Sequence, residues 1–323
     1  MYDKFYNFSS VPFLLTPDTR FFFGSSGHSR AISHLVYGLS QEEGFIVITG
    51  EVGAGKTTLV EQLWSQLDRN TYVIARVVTT QVSGDDLLRL AMAGFGLGDT
   101  PGTDKATLLR RFEHMVRDQR RVGRRCLLVV DEVQNLTLAA LEELRMLSNI
   151  TVDGRASVQT ILLGQPQFRP ILASRDVEQL RQRVLASYHL GPLTAAEVRG
   201  YIEHRLRTVD WRGDPHWDDA AFDAVHRHTG GIPRRINTLC SRVLLLGSLE
   251  ETHAITAAMV DATAGELEQD LGAGLAAADR PADPAPSSAM LERIEALEAA
   301  VARQERVFRR VLDMLGNAGG GTA

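Results

Sequence analysis

Long apolar runs are missing from this 323-residue chain, which nowhere approaches the 18 to 20 consecutive apolar residues of a membrane-spanning helix. No direct span is expected, and a membrane role calls for a partner. No basic segment followed by an apolar core opens the chain, so no secretory signal is expected. Cysteine is scarce. Cys126 and Cys240 both sit in apolar patterns, which excludes a disulfide-stapled scaffold and reads as reduced core thiols of a cytoplasmic protein. Positive charge is not in excess either. Lys and Arg number 35 against 40 Asp and Glu, a net charge of −5, so general nucleic-acid binding is not expected. Nine histidines show no metal-ligand spacing, and His226 and His228, two apart, fall on different sides of a helix. Aromatics make up 7% of the chain, yet Phe5, Tyr6, Phe8, Phe13, Phe21, Phe22 and Phe23 crowd into its first 44 residues.

The chain is organised around one stretch. The strand-like run Phe45-Ile-Val-Ile-Thr feeds into Gly50-Glu51-Val52-Gly53-Ala54-Gly55-Lys56-Thr57-Thr58, followed by a helical pattern. This is the Gly-x-x-x-x-Gly-Lys-Thr phosphate-binding loop in its strand, loop, helix context. Glycines allow a backbone that residues with a Cβ resist, and the loop N–H groups then converge on a phosphate at a helix N-terminus. Lys56 supplies a point charge to the outer phosphates, and the Thr57 hydroxyl is placed to ligate Mg²⁺.

About 75 residues on, Cys126-Leu-Leu-Val-Val130 ends in Asp131-Glu132. Four apolar residues followed by two acids read as a buried parallel strand that delivers carboxylates to its C-terminal edge, where open α/β sheets bind ligands. Asp131 is expected to hold Mg²⁺, directly or through water, and Glu132 to act as the base that deprotonates an attacking water. The strand Tyr72–Val78 stands between these two in sequence. A further strand, Ser157 to Gly164, ends at Gln165 on the same edge. Gln165 is read either as a hydrogen-bonding partner of the γ-phosphate or water, or as a polar turn residue before Pro166.

The aromatic strap of residues 1–44 has two readings: a seam that closes the core, or part of the wall of a base pocket. The expected organisation is an α/β P-loop core over residues 1–192 and a helical lid over 193–271. A linker rich in Ala, Pro and Gly over 272–288 follows, then an amphipathic helix over 289–316 and a disordered end over 317–323. Met290, Ile294, Leu297, Val301, Gln304, Phe308, Val311 and Leu315 follow a 4-3 spacing that suits a coiled coil or a docking helix.

A P-loop core followed by a helical lid resembles an AAA+ ATPase. The segments Asn7-Phe-Ser-Ser-Val-Pro-Phe13, Asp131-Glu-Val-Gln134, Leu163-Gly-Gln-Pro166, Leu180-Arg-Gln-Arg183 and Gly230-Gly-Ile-Pro-Arg-Arg-Ile-Asn237 are similar to the ExeA (general secretion pathway protein A) family over about residues 1–270. Within it, the nearest likeness is to ATPases associated with exosortase and exopolysaccharide loci. The resemblance implies ATP and Mg²⁺ as ligands, Gln165 as sensor 1, and Arg183 as the arginine finger with Arg181 as runner-up. It also implies Arg234 as the sensor 2 arginine. Members of that family continue into a transmembrane helix and a peptidoglycan-binding domain. Neither lies in this sequence, so peptidoglycan remodelling is not implied.

The expectation is a cytoplasmic, Mg²⁺-dependent ATPase that forms a ring or other homo-oligomer. Its tail helix would recruit a protein partner, at the inner membrane if the partner is anchored there. Two other classes fit the same core: a DNA-dependent regulator of the transposition-helper kind, and a nucleotide-gated assembly scaffold.

Overall fold

The structure is a computed structural model that describes residues 2–16, 18–78, 83–98, 102–152 and 154–276. Its centre is a parallel sheet of five strands: β1 (Phe45–Gly50), β2 (Tyr72–Val78), β3 (Arg125–Asp131), β4 (Val158–Gly164) and β5 (Val184–Leu190). They lie in the order β2-β3-β4-β1-β5. Phe45 to Ile48 and Cys126 to Val130 are buried on both faces, which explains why these strands read as continuous apolar runs rather than alternating ones. The strand between β1 and β3 is β4, whereas Tyr72–Val78 forms the sheet edge. Tyr72–Val78 stands between β1 and β3 in sequence but not in the sheet. Pairing across the sheet is set by crossovers rather than by sequence neighbours.

Helices cover both faces. On one, α1 (Ser26–Ser40) and α2 (Lys56–Gln66) pack Ala31, Leu35, Leu59 and Leu63 against Ile46, Ile48, Val129 and Ile161. On the other, α3 (Gly84–Gly94), α4 (Lys105–Arg121) and α5 (Leu138–Ser148) pack Leu88, Phe112 and Leu144 against Val47, Leu128 and Leu162. Each such Leu, Ile, Val or Phe side chain contributes about 1.5–3 kcal/mol on full burial. Starts are marked by oxygen caps: Ser83 accepts from Asp86 N, Asp104 from Thr107 N and Thr137 from Ala140 N.

The helical part contains α6 (Ala195–Thr208), α7 (Asp219–Thr229), α8 (Pro233–Leu249) and α9 (Ala257–Ala276). Thr194 and Glu197 form a complete capping box at α6. Glu197 also accepts from Ser26 N at 2.8 Å, tying the lid to the first turn of α1. Gly230, at φ 59°, ends α7 in the left-handed cap conformation, and Pro233 begins α8.

Two boundaries differ from expectation. The first aromatic residues belong with the lid rather than with the 1–192 unit: Tyr2, Tyr6, Phe8, Phe13 and Phe21 share a core with Ile202, Leu206, Phe222 and Leu239. Tyr6 Oη donates to Thr252 O at 3.1 Å, and Ser9 N to Val209 O at 3.1 Å. These partners lie 246 and 200 residues away in sequence, which no local pattern displays. Helix α9 also runs to Ala276, five residues past the expected end of the lid at 271. The rest of the expected linker, the heptad helix over 289–316 and the end over 317–323 lie outside the described residues. Among the described residues, no helix is long and apolar enough to cross a membrane.

Candidate functional site

Parallel strands deliver their C-terminal residues to one edge. Here β1 delivers Gly50, β3 delivers Asp131 and β4 delivers Gln165. The loop from Gly50 to Gly55 wraps into α2, with Gly53 at φ 82° and Gly55 at φ 97°. A Cβ on Gly50 would sit 2.6 Å from Leu190 O, and one on Gly55 would sit 2.9 Å from His28 Nε2, so both turns require glycine. Lys56 is buried, and its ammonium donates to Gly50 O at 2.7 Å and Glu51 O at 3.0 Å. Burial lowers its pKa against the opposing pull of Glu132, Asp131 and Glu51.

Thr57 Oγ1 donates to Asp131 Oδ2 at 3.0 Å, and Arg76 Nη2 donates to the same oxygen at 3.1 Å. Asp131 Oδ1 accepts from Glu132 N at 3.0 Å. A hydroxyl and a carboxylate facing one another are hard oxygen ligands of the kind Mg²⁺ takes, with water and phosphate completing its shell. The residues present therefore fit that ion.

Glu132 sits at φ 56°, a conformation uncommon for a residue with a Cβ. Its Oε2 accepts from Gln134 Nε2 at 2.5 Å and from Gln165 Nε2 at 3.0 Å. Gln134 Oε1 in turn accepts from Gln165 N at 2.9 Å. Burial alone would raise the Glu132 carboxyl; the two amide donors and the Lys56 charge outweigh it and hold its pKa below the ordinary range. Gln165 thus touches the expected base directly. Gln134 was given no role from sequence, although it stands in the Asp131-Glu-Val-Gln134 motif. The only available signal was its spacing of two from Glu132.

A cavity of about 370 Å³ opens over the loop. Its walls come from three places: the loop itself, the strap through Leu14, Leu15 and Phe22, and the lid through Tyr201, Arg205 and Arg234. Leu14, Leu15 and Phe22 of the strap thus line a cavity, while Tyr2, Tyr6, Phe8 and Phe13 are buried in the lid core. Arg234 N donates to Gly53 O at 3.2 Å, placing the start of α8 on the loop. His28, unremarked in the sequence, also lines the cavity. Its Nδ1 lies 2.7 Å from Ser25 Oγ, and burial depresses its pKa to about 4, so the ring is neutral near pH 7.

Arg183 is not brought to this edge. It precedes Val184, which pairs with Phe45 at the opposite end of the sheet, and its Nη1 donates to Ser148 Oγ at 3.1 Å. Arg181 is exposed and donates to Ala173 O at 3.3 Å. Neither arginine serves the chain's own site.

Comparison with known proteins agrees with this architecture. Residues 39–172 match the AAA domain family. General secretion pathway protein A of Aeromonas hydrophila is 35% identical over 271 residues, which are 83% of this chain and 48% of the relative. The chain thus spans about half the length of that relative. Cdc6p from Pyrobaculum aerophilum superposes with a TM-score of 0.60 at 14% identity, covering 78% of this chain and 68% of that one. The Aeropyrum pernix ORC2 protein gives 0.57 at 17% identity, with 74% and 66% covered. The Thermotoga maritima RuvB branch migration motor gives 0.51 at 18%, with 75% and 68% covered. At these identities the structural likenesses establish the fold alone. Fold, loop and sequence likeness agree: this chain carries a P-loop AAA+ fold whose residues 39–172 match the AAA domain family, and over 271 residues it is similar to general secretion pathway protein A.

Proposed function

We propose that this chain is a Mg²⁺-dependent ATPase that works as an oligomeric motor or switch. The observation that carries the reading is the meeting of Lys56, Thr57, Asp131, Glu132 and Gln165 on one sheet edge, beneath a cavity walled by strap and lid. Lys56 would leave its loop carbonyls for the outer phosphates, and Thr57 and Asp131 would hold Mg²⁺. When bound, that ion neutralises charge on the phosphate oxygens. Glu132 would accept a proton from water as the water oxygen bonds to the γ-phosphorus and the bond to the leaving oxygen breaks. Gln165 would orient the γ-phosphate or the water. Arg234, on the lid, would report the phosphate to α8. Arg183 would complete a neighbouring subunit's site, which supports a homo-oligomer.

Kinship to general secretion pathway protein A supports a role beside envelope machinery for secretion, exosortase-linked sorting or exopolysaccharide export. The protein would be cytoplasmic and peripheral to the inner membrane, with the heptad-patterned sequence over 289–316 as the partner-binding element. The test is nucleotide titration and phosphate release on wild type and Lys56→Ala, with and without duplex DNA. Loss of both binding and release in the variant, with no stimulation by DNA, is expected. Wild-type ATP affinity in Lys56→Ala would sink the assignment. Strong, salt-sensitive DNA stimulation would favour the DNA-dependent regulator, and tight binding without turnover the scaffold.

A further inference from the structure

Arg76 sits on the edge strand β2, where its guanidinium reaches over the sheet face that carries α2. Its Nη1 donates to Glu61 Oε1 on α2 at 3.2 Å, and its Nη2 to Asp131 Oδ2 at 3.1 Å. The two carboxylates differ. Asp131 has a side chain 6% exposed and already accepts from Thr57 and from Glu132 N, whereas Glu61 is 27% exposed. A cation is thus already seated on the oxygen that the metal site needs, and a second carboxylate lies within the same guanidinium's reach.

We propose that Arg76 is the resident counter-ion of the metal site. It holds the Asp131 carboxylate in place in the absence of Mg²⁺, and would shift toward Glu61 when Asp131 holds the ion. The physical reason is competition. Arg76 Nη2 already donates to Asp131 Oδ2, and two cations on one carboxylate oxygen repel. Arg76 is a positioning residue that sets how much Mg²⁺ the site requires. This rests on the proposed nucleotide site and goes beyond it.

The test is the Mg²⁺ concentration at half-saturation, titrated into protein holding a non-hydrolysable ATP analogue. Arg76→Gln removes the competing charge and is expected to lower that midpoint by about tenfold, the scale of outer-shell effects at metal sites. Glu61→Gln removes the second carboxylate, leaves Arg76 on Asp131 and is expected to raise the midpoint. Melting in chelator supplies the control: Arg76→Gln should melt below wild type. A lower melting temperature with the midpoint unchanged would mark a purely structural ion pair and overturn the proposal, as would shifts of the same sign in both variants. If Arg76→Gln fails to fold, Glu61→Gln on the half-exposed helix face decides alone, and an unchanged or lower midpoint overturns the idea. A wild type that binds no nucleotide with or without Mg²⁺ overturns the nucleotide reading, and this inference with it.

Discussion

The backbone N–H of Arg234 donates to the carbonyl of Gly53 across 3.2 Å, so the lid rests on the phosphate-binding loop itself. A Cβ built on Gly53 would fall 2.3 Å from the Arg234 Cβ. Gly53 also holds φ at 82°, where residues with a Cβ are strained by about 1–3 kcal/mol. Gly53→Ala should therefore both strain the loop and push α8 away. The expected outcome is a lower melting temperature and nucleotide affinity reduced by about tenfold or more. Hydrogen exchange should rise at the start of α8. An unchanged exchange rate there would show that the lid does not depend on this contact.

Gln134 and Gln165 converge on one oxygen of Glu132. Gln134→Ala removes the shorter of these bonds and frees Gln165 N from its side-chain acceptor. Turnover should fall by roughly 100-fold, within the range attributed to a well-placed general base. The pH profile separates positioning from unfolding. A base works deprotonated, so activity is lost as pH falls through its pKa. Two amide donors hold that pKa low, so removing one should move the acid limb of the kcat profile to higher pH. A limb that stays in place while kcat falls would assign Gln134 a purely architectural role.

Legibility in the sequence followed the range of the interactions. The loop from Gly50 to Thr58 and the strand ending at Asp131 were readable because each is a contiguous pattern whose chemistry demands those residues. The Arg76 to Asp131 contact was not, because it depends on β2 pairing with β3, and edge position has no local signature. The attachment of Tyr2, Tyr6 and Phe13 to the lid was hidden likewise. An aromatic cluster shows that something will be buried, not against what. Gln165 could be placed on the right edge from strand order, but its bond to Glu132 needed coordinates. His28 carried no signal at all, since a lone histidine in an amphipathic helix looks like any other.

His28 gives a stability prediction. Burial depresses its pKa to about 4, with Glu197 pulling weakly the other way. An unfolded histidine titrates near pH 6.5. As pH falls below that value, the unfolded chain takes up a proton that the folded chain refuses, so this group's contribution is lost from about pH 6.5 down to about 4 and changes little below. Denaturant melts of wild type and His28→Gln across pH 4 to 8 should give curves that diverge at high pH and converge at low pH. Parallel curves would mean that His28 is solvated and the ring is not sealed behind the loop.

Arg183 makes the most direct claim about assembly. It lies at the end of the sheet away from Asp131 and is held to Ser148 by a hydrogen bond that a stronger acceptor can replace. If it serves a neighbour, Arg183→Ala should keep ATP binding and lose turnover by roughly a thousandfold. Two inactive variants then make the decisive experiment. An Arg183→Ala subunit retains Lys56, Asp131 and Glu132, so its own site lacks only the arginine from next door. A Glu132→Gln subunit has a dead site but an intact Arg183 to offer. Wherever the second kind abuts the first in the right order, one complete site forms. Activity should rise on mixing and depend on total protein concentration. A mixture as inactive as its parts, with co-assembly verified by crosslinking, would return Arg183 to its bond with Ser148 as a structural residue. Arg181, exposed two residues earlier, would then be the arginine to mutate next.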